Sequence, residues 1–249
     1  MTARAACLHW RAVILALPIL ARVCRSTTLP FAQRWPLGLV PIRISHPDAR
    51  IEVLAAVREI EAYTPVRFTE HTDEENFVEV VLGDDDVVKN PRWKHNTSDV
   101  IGFCSGRSEV HLRQGAGWLA MHELGHVLGL VHEHQRADRD MYVEVQWDNV
   151  ADPEPGHANW IRLQESDLQG LPYDPNSVMH YGSDWQGIRE RARTLRWLGH
   201  ASGAAGDCIH YECSPVVGWS HLSNVDKQAI TALYTQEAVK RESITSQLI

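Results

Sequence analysis

The segment at residues 118–140 combines histidines and a glutamate at spacings that allow metal chemistry. His122 and His126 are four residues apart, so on a helix both imidazoles project from one face. Two imidazoles in that relation can share one zinc ion, and Glu123 can act as a base on a metal-activated water. Apolar residues at helical spacing surround them and predict a buried helix. The pattern therefore predicts a zinc centre built on a helix.

A catalytic zinc site needs a third protein ligand, and His132 is the candidate. On a straight helix His132 would lie about 80° off the face of His122 and His126, and about 15 Å from His122 along the axis. The helix must therefore end, and the chain must turn back, before residue 132. Gly129 lies where the turn is needed, because a residue without a Cβ readily takes the left-handed conformation that ends a helix.

The elements that would position this site follow an α+β pattern. Residues 40–44 alternate apolar and polar side chains like a strand, whereas residues 50–63 place apolar side chains near helical spacing. Residues 66–68 and 77–82 are typical of further strands. The order strand, helix, strand, strand predicts an α+β lobe with a mixed sheet.

The amino-acid composition and net charge exclude several classes of protein. The 249 residues are 44% hydrophobic and 22% charged, which is ordinary for a globular protein and excludes collagenous, coiled-coil and multi-pass membrane proteins. The formal net charge of -8 disfavours a broad nucleic-acid surface, so we expect no nucleic-acid partner.

The first 25 residues have the layout of a secretory signal. They contain four arginines and no acidic residue, and the apolar run at residues 12–20 is too short to span a membrane. A retained membrane anchor or a false start is the alternative. We expect the signal to be removed, which predicts a secreted protein with no stable membrane association.

Two motifs resemble those of one family. The sequence HELGHVLGLVH at residues 122–132 has the extended zinc pattern of the metzincins, and its continuation to residue 140 resembles the astacin metallopeptidases. The sequence SVMHY at residues 177–181 is similar to the astacin methionine turn. Further similar segments reach residue 234, so the resemblance covers nearly the whole predicted mature chain apart from residues 183–215.

The resemblance implies a two-lobed metzincin-like fold of the α+β class, with a mixed sheet in the N-terminal lobe and the active-site helix at the cleft. It implies a catalytic domain at residues 26–237, after a signal at residues 1–25 and before a C-terminal tail at residues 238–249. The expected function is that of a secreted zinc endopeptidase acting on protein or peptide substrates.

The resemblance also assigns roles to single residues. One Zn²⁺ would be held by His122, His126 and His132, with Tyr181 as a further ligand. Glu123 would be the general base, and Tyr181 would swing away from the metal to hydrogen-bond the oxyanion of the tetrahedral intermediate. Two neighbours have implied roles, with Met179 as an apolar floor and Glu133 as the partner of the mature N-terminus. From the sequence alone, a buried core methionine describes Met179 equally well. For Glu133 the alternative is an exposed acid near Arg136 and Arg139.

Two other functions compete with the peptidase. A catalytically inactive zinc-binding homologue, acting as a binding module, would commonly lose the base, whereas Glu123 and Tyr181 are both present. The matrixins, another metzincin branch, are disfavoured by Glu133 after His132 and by the SVMHY sequence. His134 and His180 adjoin the site, and their roles stay open.

Cysteines and one arginine-rich segment depart from the family. Positions matching one family disulfide hold other residues, and Cys104 matches the second disulfide without a cysteine before His122 to receive it. We interpret Cys104 as a lone thiol, with pairing to another cysteine as the alternative. We expect Cys208 and Cys213 to form a local bridge, with free thiols as the alternative. The four arginines at residues 189–196 predict a surface helix, with recognition of acidic substrate side chains as the alternative.

Overall fold

A computed structural model describes residues 22–23, 33–83, 97–98, 100–113, 119–151, 160, 162–163, 170–185, 188, 192–198 and 220–247. The predicted signal lies outside these ranges except for residues 22–23, and so do Cys208 and Cys213. In chain order the strands are β1 (Arg22–Val23), β2 (Leu39–Ile44), β3 (Arg67–Glu70), β4 (Phe77–Gly83), β5 (Thr97–Ser98), β6 (Val100–Ile101), β7 (Arg107–Arg113), β8 (Val143–Val145) and β9 (Leu195–Trp197). The α-helices are α1 (Arg50–Tyr63), α2 (Ala120–Val127) and α3 (Asn224–Ser246).

The largest sheet is mixed, as the sequence predicts. Its five strands lie in the order β3-β2-β4-β7-β5. The first four run parallel, and β5 is antiparallel to β7 at the edge. The predicted strands at residues 40–44, 66–68 and 77–82 correspond to β2, β3 and β4, and α1 begins and ends where the periodicity predicts.

The central strands of this sheet bury alternate residues. Val40 and Ile42 in β2, and Val78 and Val80 in β4, are at most 7% exposed and face one core with α1 and α2. Side chains on a strand alternate between the two faces of the sheet, so a period of two puts these apolar residues on one side. Each buried aliphatic side chain contributes about 1.5–3 kcal/mol from the hydrophobic effect. This core carries the helix on which the histidines lie.

Helix α3 begins with a capping box. The Ser223 hydroxyl accepts a hydrogen bond from the Asp226 amide at 2.9 Å, and the Asp226 carboxylate accepts one from the Ser223 amide at 3.0 Å. These reciprocal bonds satisfy amides that the first turn of a helix leaves without partners. The predicted domain boundary after residue 237 falls within α3. Among the described helices, none has both the length and the apolar composition needed to cross a bilayer.

A second, aromatic-rich cluster packs around β8 and β9. These strands are antiparallel, so the helix predicted for residues 189–196 is wrong where the structure describes it. Leu195 is fully buried, whereas Arg196 is exposed and its Nη2 atom lies 2.6 Å from the Glu144 carboxylate. Buried and exposed side chains thus alternate along β9, as is typical of a strand. Its pairing partner, β8, lies about fifty residues earlier in the chain, so local periodicity does not predict the pairing.

The prediction of a lone Cys104 thiol is also wrong. Cys104 is disulfide-bonded and 2% exposed. The four other cysteines of the chain all lie outside the described residues. Spacing along the chain does not determine which cysteines meet, because pairing depends on proximity in the folded protein.

Candidate metal centre

Helix α2 places the first two histidines inside the protein. All of its residues are buried, and His122 and His126 are each 8% exposed. The helix ends in a left-handed Gly129 with φ of 98°, as the sequence predicts. The Gly129 amide donates to the His126 carbonyl and the Leu130 amide to the Gly125 carbonyl, both at 2.9 Å, which is the Schellman pattern of helix ends. The chain thereby reverses direction directly after the helix.

This reversal brings His132 back to the helix. One ring nitrogen from each of His122, His126 and His132 lies within 4.8 Å of the other two. The Nε2 atoms of His126 and His132 are 3.1 Å apart. The structure therefore brings together the three histidines that the motif predicts.

Hydrogen bonds fix the tautomer of all three rings. In each ring Nδ1 faces a carbonyl or amide oxygen at 2.7–2.9 Å. Such oxygens only accept, so each Nδ1 carries the proton and each neutral ring keeps a lone pair on Nε2. Burial lowers the pKa of His122 to about 4 and that of His126 to about 3, and it holds the pKa of His132 well below its ordinary value. The accepting oxygens belong to Val178 for His122, Leu130 for His126 and Gln135 for His132.

These three nitrogens fit a zinc ion. Two neutral Nε2 lone pairs at 3.1 Å repel each other unless a cation lies between them. Two nitrogens bound at about 2.0–2.1 Å to a tetrahedral zinc lie about 3.3 Å apart, close to the observed separation. Zinc-binding histidines also commonly donate their other ring N–H to an oxygen, as all three do here.

Tyr181 and Glu123 flank the three histidines. The Tyr181 ring lies 4.5 Å from the His132 ring and 5.6 Å from the Trp185 ring. Burial raises the pKa of the Tyr181 phenol, and the nearby Glu123 carboxylate raises it further. The phenol is therefore protonated at neutral pH and can donate a hydrogen bond. Glu123 is 3% exposed and follows His122 on α2.

The segment at residues 177–181 runs beneath the histidines. The Val178 carbonyl accepts from His122 Nδ1, and the Met179 carbonyl accepts from the Glu133 amide at 3.1 Å. Met179 is 1% exposed and packs so tightly on α2 that a Cβ added to Gly125 would lie 2.5 Å from its sulfur. This segment holds the position of the metal-site helix from below.

The structure shows the contacts of His134 and His180, the two histidines whose roles the sequence leaves open. His134 and His180 are both fully buried, and neither belongs to the group of three. His180 Nδ1 donates to the Tyr181 carbonyl at 2.7 Å, and its Nε2 accepts from the Tyr173 hydroxyl at 2.6 Å. The His134 ring stacks on the Tyr181 ring at 4.0 Å. Both therefore contact Tyr181 and support it rather than joining the three-histidine cluster.

Sequence reasoning misses the aromatic neighbours of Tyr181. Trp160 and Trp185 have no fixed spacing from the metal motif, so no sequence signal points to them. Their rings lie 6.1 Å and 5.6 Å from the Tyr181 ring because β8, β9 and the adjacent loops fold together.

Glu133 is not the exposed acid of the alternative prediction. Its side chain is 13% exposed and accepts from Arg136 Nη1 at 3.1 Å and from the Asp174 amide at 2.7 Å. Burial raises the pKa of Glu133 to about 8, and the Arg136 guanidinium opposes this rise. Contact with a mature N-terminus stays a prediction, because the chain before residue 33 lies outside the described residues except at 22–23.

Comparison with known proteins agrees with this geometry. Residues 28–235 match the family model of astacin, peptidase family M12A. The chain is 29% identical over 233 residues to the astacin-like metalloendopeptidase of Mus musculus. This match covers 84% of this chain and 50% of that protein. It is 32% identical over 152 residues to high choriolytic enzyme 2 of Oryzias latipes. This match covers 59% of this chain and 50% of that protein. The chain thus spans about half the length of these curated relatives.

A solved structure shares the fold. High choriolytic enzyme 1, described as a hatching enzyme zinc-protease from Oryzias latipes, superposes with a TM-score of 0.63 at 26% sequence identity. The match covers 85% of this chain and 97% of that one. It confirms the predicted α+β, metzincin-like fold. Because the family model spans most of the sequence, the chain belongs to the astacin family of zinc metallopeptidases.

Proposed function

We propose that the chain is a secreted zinc-dependent endopeptidase that hydrolyses peptide bonds in protein or peptide substrates. The observation that carries the proposal is the group of three neutral histidine nitrogens within 4.8 Å, with Glu123 beside the first of them on a buried helix. The relatives support it, since their names describe metalloendopeptidases and a zinc-protease. Secretion is supported by the predicted signal at residues 1–25.

His122, His126 and His132 would hold the ion, with Tyr181 as the further ligand that the family resemblance implies. A bound zinc would supply Lewis-acid polarisation of the scissile carbonyl and would make water acidic enough to attack at neutral pH. Glu123 accepts the proton from the attacking water and passes it to the leaving amine.

Tyr181 stabilises the negative charge that develops on the carbonyl oxygen. Its phenol is protonated at neutral pH because burial raises its pKa, so it donates a hydrogen bond to the oxyanion. The His180 side chain holds the Tyr181 carbonyl, and the His134 ring stacks on the phenol ring. These contacts hold Tyr181 beside the three histidines.

A zinc-binding module without catalysis is the second candidate function. Such a protein needs the three histidines but neither a base nor an oxyanion donor. The presence of Glu123, buried beside the ligands, and of Tyr181 favours the enzyme.

Cleavage of casein and of an internally quenched peptide by the zinc-loaded full chain tests the proposal. A zinc chelator should abolish cleavage, and added zinc should restore it. Glu123→Gln should lower kcat by about 10²- to 10⁴-fold, the usual contribution of a general base, while zinc content stays unchanged. Glu75→Gln, which alters an exposed acid, is the matched control. Cleavage activity that responds neither to the chelator nor to Glu123→Gln would refute the proposal of a zinc-dependent endopeptidase.

A further inference from the structure

The end of helix α2, the helix that carries two of the metal histidines, is held by side chains from two distant parts of the chain. The Trp35 indole N–H donates to the Val127 carbonyl at 3.0 Å. The Tyr234 hydroxyl donates to the Leu128 carbonyl at 3.2 Å. Carbonyls at the end of a helix have no partner within it, so their donors must come from elsewhere. Trp35 and Tyr234 supply two of these donors.

Backbone amides begin the capping of this helix end, and the side chains complete it. In the turn at Gly129, two amides donate to the carbonyls of Gly125 and His126, each at 2.9 Å. The indole and the hydroxyl take the next two carbonyls along the chain, those of residues 127–128. The side-chain donors come from 92 and 106 residues away in the sequence. The helix end therefore depends on tertiary contacts as well as on its own turn.

Trp35 and Tyr234 also bind each other inside the core. The Trp35 amide donates to the Tyr234 hydroxyl at 3.4 Å, so this hydroxyl accepts one hydrogen bond and donates another. Trp35 is 1% exposed, and Tyr234 is fully buried. The indole meets the Phe103 ring edge-on, with ring centroids 5.1 Å apart. Because both side chains are buried, a helix carbonyl that lost its donor here would stay desolvated, which is the costly case.

The capped segment leads directly to the metal ligands. His126 lies in the last turn of α2, and its Nδ1 donates to the Leu130 carbonyl at 2.9 Å. His132 follows two residues after Leu130, and its Nε2 lies 3.1 Å from that of His126. If residues 127–130 frayed, the His126 ring would lose its acceptor and His132 would move away from it. The hydrogen bonds at the helix end therefore act on both histidines through the main chain.

We propose that Trp35 and Tyr234 are positioning residues for the zinc centre, which hold the end of α2 and thereby bring His126 and His132 together before the ion binds. A metal-free chain whose helix end is frayed does not offer all three nitrogens to one ion. The apparent affinity for zinc is therefore the intrinsic affinity multiplied by the fraction of chains with the helix end closed. The proposal rests on the zinc site of the proposed function and adds two residues that support it from outside.

The zinc affinity of Tyr234→Phe tests the proposal, because phenylalanine keeps the buried ring and removes the hydroxyl. Competition between the full chain and a chelator of known zinc affinity gives the Kd, at a temperature where circular dichroism shows the variant to be folded. We expect an affinity about 2- to 13-fold below that of the wild type, the range for one net hydrogen bond. A residue that only stabilised the fold would leave the zinc affinity of the folded protein unchanged.

Tyr63→Phe is the matched control, because it removes the same hydroxyl from a tyrosine that is 59% exposed. Its zinc affinity should equal that of the wild type. Trp35→Phe removes the second donor and should weaken zinc binding by a similar factor, so it provides the test if Tyr234→Phe does not fold. Wild-type zinc affinity in the folded variants would overturn the proposal. Failure of the zinc-loaded wild type to cleave peptides would count against the proposed function alone.

Amide hydrogen exchange of the wild-type chain provides a test that needs no variant. If zinc binds only when the helix end is closed, added zinc should slow exchange of the Gly129 and Leu130 amides in proportion to its concentration above the Kd. The amide of Gln247, after the exposed end of α3, should be unaffected. Exchange at Gly129 and Leu130 that does not respond to zinc would show that fraying does not compete with zinc binding, and it would overturn the proposal.

Discussion

Asp226 joins the methionine turn to the start of α3, and its removal should be costly. The side chain is 4% exposed. Its carboxylate accepts from the Ser177 hydroxyl at 2.6 Å, from the Val178 amide at 2.9 Å and from the Ser223 amide at 3.0 Å. The Val178 carbonyl in turn holds the His122 ring. Asp226 therefore supports both the fold and the metal site.

Asp226→Ala leaves these three donors without their acceptor. At about 1 kcal/mol for each net hydrogen bond, the free energy of unfolding should fall by about 3 kcal/mol. For a chain of this size, that corresponds to a drop in Tm of about 6–12 °C. The free energy of unfolding of Asp226→Asn should lie between those of the wild type and Asp226→Ala, because one amide oxygen cannot accept from all three donors.

Urea unfolding of the metal-free protein, followed by circular dichroism, measures this change. The midpoint should fall while the slope with urea stays constant, since the exposed surface on unfolding is unchanged. Asp73→Ala, at an exposed acid, is the control and should change stability by less than about 0.5 kcal/mol. Equal midpoints for Asp226→Ala and Asp73→Ala would refute the reasoning.

Three further changes should affect stability in distinct ways. Gly125→Ala should cost about 1–3 kcal/mol because the new Cβ would lie 2.5 Å from the Met179 sulfur. In a Met179→Ala background the same Gly125→Ala change should cost less in thermal unfolding, and an equal cost in both backgrounds would place the strain elsewhere. Trp35→Phe removes the 3.0 Å indole bond to the Val127 carbonyl and should lower the free energy of unfolding in urea by about 1 kcal/mol, whereas an unchanged free energy would mean that water replaces the bond. Removal of zinc should lower Tm, because free zinc at 1,000 times its Kd adds about 4 kcal/mol, and calorimetry that shows no dependence on zinc would contradict binding to the folded state.

Local spacing predicts those parts of the molecule that depend on local geometry. The four-residue separation of His122 and His126 determines their common helix face, and Gly129 marks the turn that returns His132. Alternation and helical spacing likewise predict β2, β4 and α1. In each case the relevant contacts lie within a few residues, so the sequence contains the whole pattern.

Features that depend on distant contacts are missing from the sequence analysis. Strand β9 pairs with β8 across about fifty residues, and the disulfide of Cys104 also depends on the folded chain. The Tyr173–His180 hydrogen bond and the ring contact between Trp185 and Tyr181 arise where loops meet. No periodicity links these residues, so only the three-dimensional structure shows how Tyr181 is held.

Zinc content at fixed free zinc most directly tests whether His122, His126 and His132 share one ion. After equilibrium dialysis, elemental analysis should find one zinc per wild-type chain. In His126→Ala the affinity should fall by more than the roughly 10- to 100-fold that loss of an outer hydrogen-bond partner costs. His221→Ala changes a histidine whose side chain is 70% exposed, and this variant should bind zinc with the affinity of the wild type. One zinc per chain with unchanged affinity in His126→Ala would contradict the three-histidine site.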